Sequence, residues 1–423
     1  MKFLCLLPLA AVAFAQPQPF TLAEAEALAL RNHPTVAAAR LSAEAQAQVP
    51  QQVRSALAPQ LGVAVSGAAA SERARIGAGV FTNPLILSRV GLGTNFSQLL
   101  YDGGRTKLLT EGATARAKSE AAIANATRAQ VLLQVRQAYL LALRTQAILR
   151  VATQTISARQ TVLDQVSALT DAKLKSGLDL SFAEVAVAEA RLLAAQARND
   201  SQAALADLAV AVGLTEPAQW VLTDPPPPPA LPANSQALFA TALRQRPELA
   251  ARRLEVEAAQ RLVAAEGKLT KPTVSGFGTA GVVPAHVVAY EKDFYAAAGL
   301  SVNLNFFNGG LFAARRTEAA LRARAAEQRL KELENRLARE VAVAYLNAQT
   351  AFERLSLTDQ LFKRAGLSLE LAQARYDLGL SSIVELSQAQ LSKTTAELQQ
   401  ASARYDYAAQ TAALSFQLGT DFN

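Results

Sequence analysis

Two stretches of the chain leave little choice of secondary structure. No proline occurs between Pro84 and Pro217, and none after Pro284. Within 105–176 the only glycine is Gly112, and within 311–378 it is Gly366. Proline is thus missing, and glycine nearly so, from runs of some 70 positions. Apolar residues recur there at coiled-coil spacing: Leu132, Val135, Tyr139 and Ala142 in one run, and Leu330, Leu333, Leu337, Val341 and Ala344 in the other. Each run predicts a helix of about 100 Å. Each is followed by a second helix, about 181–211 and 382–417, and preceded by a shorter one, about 21–56 and 235–268.

The chain is written twice. Pro34 and Pro247 lie 213 positions apart, as do Pro59 and Pro272. Tyr101-Asp102-Gly103-Gly104 matches Phe307-Asn308-Gly309-Gly310 at an offset of 206, which Tyr139/Tyr345 and Gly213/Gly419 keep. Gly177 and Gly379, 202 apart, are read as the helix-breaking pair, with one extra residue after Gly177. Such an ordered series marks an internal repeat. The proline-rich stretch 225–232 separates a first repeat, 16–224, from a second, 233–423. The drop in offset places a seven-residue length difference between Pro59 and Gly103, in a loop.

Between short and long helix the periodicity changes to two. Ala296, Ala298, Leu300, Val302, Leu304 and Phe306 alternate with small or polar residues. Val90, Leu92, Thr94 and Phe96 repeat the pattern, as do Leu61, Val63 and Val65. Strands are predicted at about 60–70, 89–101, 273–282 and 295–307, the third being the weakest. Ten or so residues with one apolar face suit a membrane β-strand. Loops at 71–88 and 283–293 would then lie outside. Four strands cannot close a barrel, and lipid cannot satisfy an open sheet edge. Three chains would supply twelve strands, an even number in the range of outer-membrane barrels.

The N-terminus fits an export signal over 1–15: Lys2, an apolar run from Phe3 to Val12, and an Ala13-Phe14-Ala15 cleavage site. The single cysteine, Cys5, lies inside it, so the mature chain has no thiol or disulfide chemistry. Charged residues are 18% and aromatics 6%, and no basic run is interleaved with aromatics, so a disordered chain and a nucleic-acid binder are both excluded. Gly103-Gly104 and Gly309-Gly310 lack the lysine and spacing of a phosphate loop and read as strand-to-helix turns, with Asp102 or Asn308 as cap. The two histidines, His33 and His286, sit in unrelated contexts. Neither a metal site, a cofactor nor a catalytic set is expected.

The sequence resembles the TolC family, the outer-membrane channels of tripartite efflux pumps and type I secretion systems. The residues that carry the likeness are Phe20-Thr21-Leu22-Ala23-Glu24-Ala25 with Asn32-His33-Pro34, the two double-glycine junctions, and Tyr376-Asp377-Leu378-Gly379 with Ile383-Val384-Glu385-Leu386. The resemblance implies a mainly α fold bearing a membrane β-barrel: a homotrimer with a twelve-stranded barrel in the outer membrane, continued by a helical coiled-coil tunnel through the periplasm. It implies a periplasmic adaptor and an inner-membrane transporter as partners. It also places a gate at the helix-pair tips, with Tyr376, Gly379, Ser381, Glu385 and Gln388 in the second repeat and Gly177 and Glu184 in the first. Tyr376 would hold the closed state, so that loss of its hydroxyl raises resting conductance, and Glu385 would form an acidic ring. Ser381 stands where an arginine can tie the gate, and Gln388 where a second acidic residue can stand. The competing reading is a soluble periplasmic coiled-coil scaffold or adaptor, which has no use for strands with an apolar outer face.

Overall fold

The computed structural model describes residues 19–69, 89–216, 220–228, 231, 235–286 and 294–420. The export signal and the expected loop 71–88 lie outside these residues, as does 287–293 of the other loop. The chain is mainly helical. In order it forms β1 (Pro19–Phe20), α1 (Leu22–Asn32), α2 (Pro34–Arg54), β2 (Gln60–Ala68), β3 (Arg89–Tyr101), α3 (Arg105–Asp171), α4 (Gly177–Ala211), β4 (Val221–Leu222), α5 (Ser235–Gln245), α6 (Pro247–Glu266), β5 (Thr273–His286), β6 (Phe294–Asn303), α7 (Leu311–Asp377) and α8 (Ile383–Leu418).

The short helix expected in each repeat is two helices. Pro34 forces His33 out of the helical region, to φ −71° and ψ 120°, and Pro247 interrupts the second repeat at the same place. Proline then serves as the first residue of α2 and α6, where its missing N–H costs nothing. The long helices α3 and α7 have 67 residues each, about 100 Å.

The chain divides into two compact units that cut across the repeats, so neither repeat is a domain by itself. One unit comprises 1–39, 125–247 and 335–423. Its core is built of small side chains from both repeats. Val131, Val135, Leu140 and Leu143 of α3 pack with Ala25, Ala29, Leu208 and Val212. Val341, Ala344 and Ala348 of α7 pack with Leu238, Ala242, Leu414 and Leu418. β1 and β4 pair in parallel, and Phe20 stacks on Trp220 with ring centroids 4.6 Å apart. Tyr139 is fully buried beneath them. Its hydroxyl donates to the Phe20 carbonyl at 2.6 Å and accepts from the Thr223 N–H at 3.0 Å. The repeat shows again at the ends of α4 and α8. Gly213 (φ 83°) and Gly419 (φ 72°) each press on the break between two helices. A Cβ on Gly213 would lie 2.9 Å from the Asn32 carbonyl carbon, and one on Gly419 3.0 Å from that of Gln245.

The other unit, 40–124 and 248–334, carries an antiparallel sheet in the order β2-β3-β5-β6. The cross-repeat pair β3–β5 lies in its middle. Register places Leu61, Val63, Val65, Leu92, Phe96, Val282, Phe294, Leu300 and Val302 on one face. Gly62, Ala64, Gly93, Asn95, Ser97, Phe277, Thr279, Tyr295, Gly299 and Ser301 are on the other. The apolar face is bare: Leu61, Val65 and Leu300 are 70% exposed or more. Within the described residues, β2 and β6 each have one unpaired edge, and the sheet is not closed. Three strands differ in extent from expectation. β2 stops at Ala68. β5, expected to be the weakest, is the longest strand and runs to His286, taking in 283–286 of the expected loop. β6 ends at Asn303 rather than 307, because Asn303 pairs with Thr273, the first residue of β5, and β5 has no residue beyond it to pair with. Beneath the sheet, Arg105 Nη2 pairs with the buried Glu266 carboxylate at 2.8 Å. No described helix is long and apolar enough to cross a membrane.

Candidate functional site: the tips of the two helical hairpins

Helices α3 and α4 form one hairpin and α7 and α8 the other. Both turns have the same construction. The last turn of α3 closes through Leu174 N–H to the Leu169 carbonyl at 2.8 Å, and that of α7 through Leu380 N–H to the Arg375 carbonyl at 2.7 Å. These are Schellman closures, with one residue left-handed at the helix end. In α7 that residue is Gly379 (φ 73°), but in α3 it is Lys173 (φ 57°). Gly177 is not the turn residue expected: it is the first residue of α4. The partner of Gly379 is therefore Lys173, at an offset of 206, and no extra residue follows.

The correction carries through the next turn. Ser176 caps α4, with Asp179 Oδ2 accepting from its backbone N–H at 3.0 Å and its hydroxyl at 2.7 Å. Ser382 caps α8, accepting from the Glu385 N–H at 3.4 Å. Asp179, rather than Glu184, is thus the counterpart of Glu385. Both acids occupy the third helical position, where a carboxylate faces free N–H groups. The Ser176 hydrogen bonds hold the Asp179 carboxyl below its usual range, with Lys175 assisting. Glu385 Oε1 lies 3.4 Å from Arg375 Nε of its own hairpin, with both side chains about half exposed. Glu184 and Gln388 are exposed.

The tips meet through an apolar cluster. Val166 and Ala183 of the first hairpin pack with Tyr376, Ile383 and Leu386 of the second, flanked by Leu163, Leu180 and Leu369. Tyr376 is 4% exposed, and its buried hydroxyl has no hydrogen-bond partner among the described residues. Burial, then the charges of Asp179 and Asp377, push its pKa up. Lys175 Nζ of the first turn sits 3.9 Å from the centroid of its ring. Ser381 is half-buried, with its hydroxyl likewise unpartnered among the described residues. Of the gate residues named from sequence, the structure thus gathers Tyr376, Gly379, Ser381 and Glu385 at the second turn. Glu184 lies on α4 outside the apolar cluster.

Lys175 and Asp179 escaped the sequence reading. The pattern Ser-x-x-acid, present as Ser176–Asp179 and Ser382–Glu385, would have found the second of them. Applied through the turns, the 206 offset pairs Lys175 with Ser381.

The strand-to-helix junctions belong to the other unit. Asp102 Oδ1 accepts from the Gly104 N–H at 3.0 Å and Oδ2 from the Thr106 N–H at 2.5 Å. Asn308 Oδ1 accepts from the Phe312 N–H at 3.5 Å. Gly103, Gly104, Gly309 and Gly310 all have positive φ. These are caps and turns rather than ligand sites.

The sequence profile of the outer membrane efflux protein family matches residues 27–214 and 238–420. Comparison with curated proteins gave no match. Among solved structures, the chain is similar to a membrane protein from Pseudomonas aeruginosa, with 22% identity, TM-score 0.82, and 94% of this chain and 93% of that one covered. The outer membrane protein VceC from Vibrio cholerae gives 20% identity and TM-score 0.79, covering 95% and 97%. The MtrE outer membrane channel of Neisseria gonorrhoeae, in its open state, gives 20% and 0.78, covering 95% and 89%.

Proposed function

Because the chain belongs to the outer membrane efflux protein family, we propose that three copies close their sheets into one twelve-stranded barrel and form a passive conduit through the outer membrane and periplasm. The observation that carries this reading is the four-stranded sheet. It bares an apolar face, keeps mostly small and polar residues on the other, with the rings of Phe277 and Tyr295 among them, and has two unpaired edges within the described residues. Lipid accepts the first feature and forbids the last, since unpaired strand edges cannot be solvated in hydrocarbon. Edge pairing of β6 with β2 of the next chain satisfies both. The face carrying Asn95, Ser97, Thr279 and Ser301 then lines the bore. A soluble scaffold would leave Leu61, Val65 and Leu300 in water.

The paired tips serve as the periplasmic entrance. The exposed residues Leu174 and Leu380, each just beyond its Schellman turn, offer equivalent apolar contacts to a periplasmic adaptor, which joins the channel to an inner-membrane transporter in a tripartite efflux or secretion system. Glu385 and Gln388 line the entrance. Nothing in the arrangement performs bond chemistry; its work is to present a path. The test is insertion of the purified protein into planar bilayers. Discrete conductance steps, lowered in cation selectivity by Glu385→Ala, are expected. Absence of any conductance from protein folded in detergent would overturn the reading.

A further inference from the structure

The two hairpins of one chain are joined unevenly. Arg144 of α3 pairs with Asp406 of α8 at 2.8 Å. Toward the tips the helices then part around a cleft of about 480 Å³, lined by Ala158 and Arg159 of α3, Gly366 and Gln373 of α7, and Gln390 and Lys393 of α8. Arg159, which lines it, has a buried Nη1 with no hydrogen-bond partner among the described residues. Nearer the tips, Val166 and Ala183 meet Tyr376, Ile383 and Leu386.

Lys175 adds a contact between the two hairpins. Its ammonium is 3.9 Å from the Tyr376 ring centroid, within cation–π range. It stands at the position equivalent to Ser381 in the other turn and reaches across to the second hairpin. The Tyr376 hydroxyl is buried without a hydrogen-bond partner among the described residues, so there the ring face makes the polar contact and the hydroxyl does not. We propose that Lys175 is the latch of the entrance, holding the two hairpins of each chain together through the face of Tyr376, and that opening requires this contact to break. The proposal rests on the conduit reading above.

The test is single-channel recording of the full chain in planar bilayers. Lys175→Met should shift the closed-to-open ratio toward open by about two- to thirty-fold per contact, and Lys175→Gln should do the same. Lys175→Arg should behave as wild type, because guanidinium also stacks on rings. Tyr376→Phe should be silent, since it keeps the ring face. In a Tyr376→Leu background, Lys175→Met should add nothing. The latch is overturned if both neutral variants match wild type, if Tyr376→Phe opens the channel as fully as Lys175→Met, or if the Lys175 effect persists without the aromatic ring. A wild-type protein that folds but never conducts removes the conduit reading itself, and the latch with it, an outcome distinct from a conducting wild type with silent variants.

Discussion

The two repeats share a backbone plan and differ in how tightly each position is held. Where the plan brings backbone against backbone, both keep the same residue: Gly213 and Gly419 both sit on a helix break with positive φ. Where the turn faces solvent, they diverge: Gly379 adopts the left-handed conformation freely, and Lys173 adopts it at a cost. Tyr139 is fully buried and clamps β1 and β4, whereas Tyr345, its equivalent, is only half-buried. Duplication thus preserved contacts that tolerate no alternative, and left turns and polar anchors to specialise. The Lys175–Tyr376 contact is one product, since it joins unlike residues from the two copies.

The most damaging way to probe this comparison is to put a side chain at the shared close approach. Gly213→Ala and Gly419→Ala should each destabilise the fold by about 3 kcal/mol, adding left-handed strain to a backbone clash. Thermal melts followed by circular dichroism would show both, and a tolerated substitution at either would break the equivalence. Next, Tyr139→Phe should cost about 1 kcal/mol, because the hydroxyl's bonds to the Phe20 carbonyl and from the Thr223 N–H are lost while those two groups keep the bond to each other. Tyr345→Phe should cost less, and equal losses in a denaturant series would deny the asymmetry. At the turns the signs should be opposite: Gly379→Ala destabilises by about 1 kcal/mol, while Lys173→Gly stabilises by up to about 1 kcal/mol. Hydrogen exchange at the Leu174 and Leu380 amides reads each turn separately.

The smallest effect concerns acid. The Asp179 carboxyl is held below its unfolded value by Ser176. A depressed pKa stabilises above the unfolded value near 4 and loses that contribution as pH falls through the folded one. The difference between wild type and Asp179→Asn should therefore be constant above about pH 5 and shrink below pH 4. A difference that grew on acidification would show that the cap is not the cause.

Most of the architecture was legible because it rests on local rules. Missing prolines marked α3 and α7, and alternation marked the strands. The breaks at His33 and Arg246 were equally open to reading, since the residue before a proline leaves the helix. They were missed because amphipathic periodicity continues across them. Gly177 misled because glycine is the usual left-handed residue, and nothing local reveals that Lys173 takes that role under the closing hydrogen bonds of the α3 end. The length of β5 was obscured by its glycines. A ring from the neighbouring strand covers one of them: Tyr295 of β6 lies across Gly281. The contact of Lys175 with Tyr376 joins residues some 200 positions apart, and only packing brings them together.

The central claim is that this chain completes its sheet with two further copies. Native mass spectrometry of protein extracted from the outer-membrane fraction in mild detergent tests it directly. The account predicts a species of three chains, with Leu300→Arg on the apolar face abolishing it and Ser301→Arg on the opposite face leaving it intact. A single chain recovered from the soluble periplasmic fraction, indifferent to both substitutions, would contradict it.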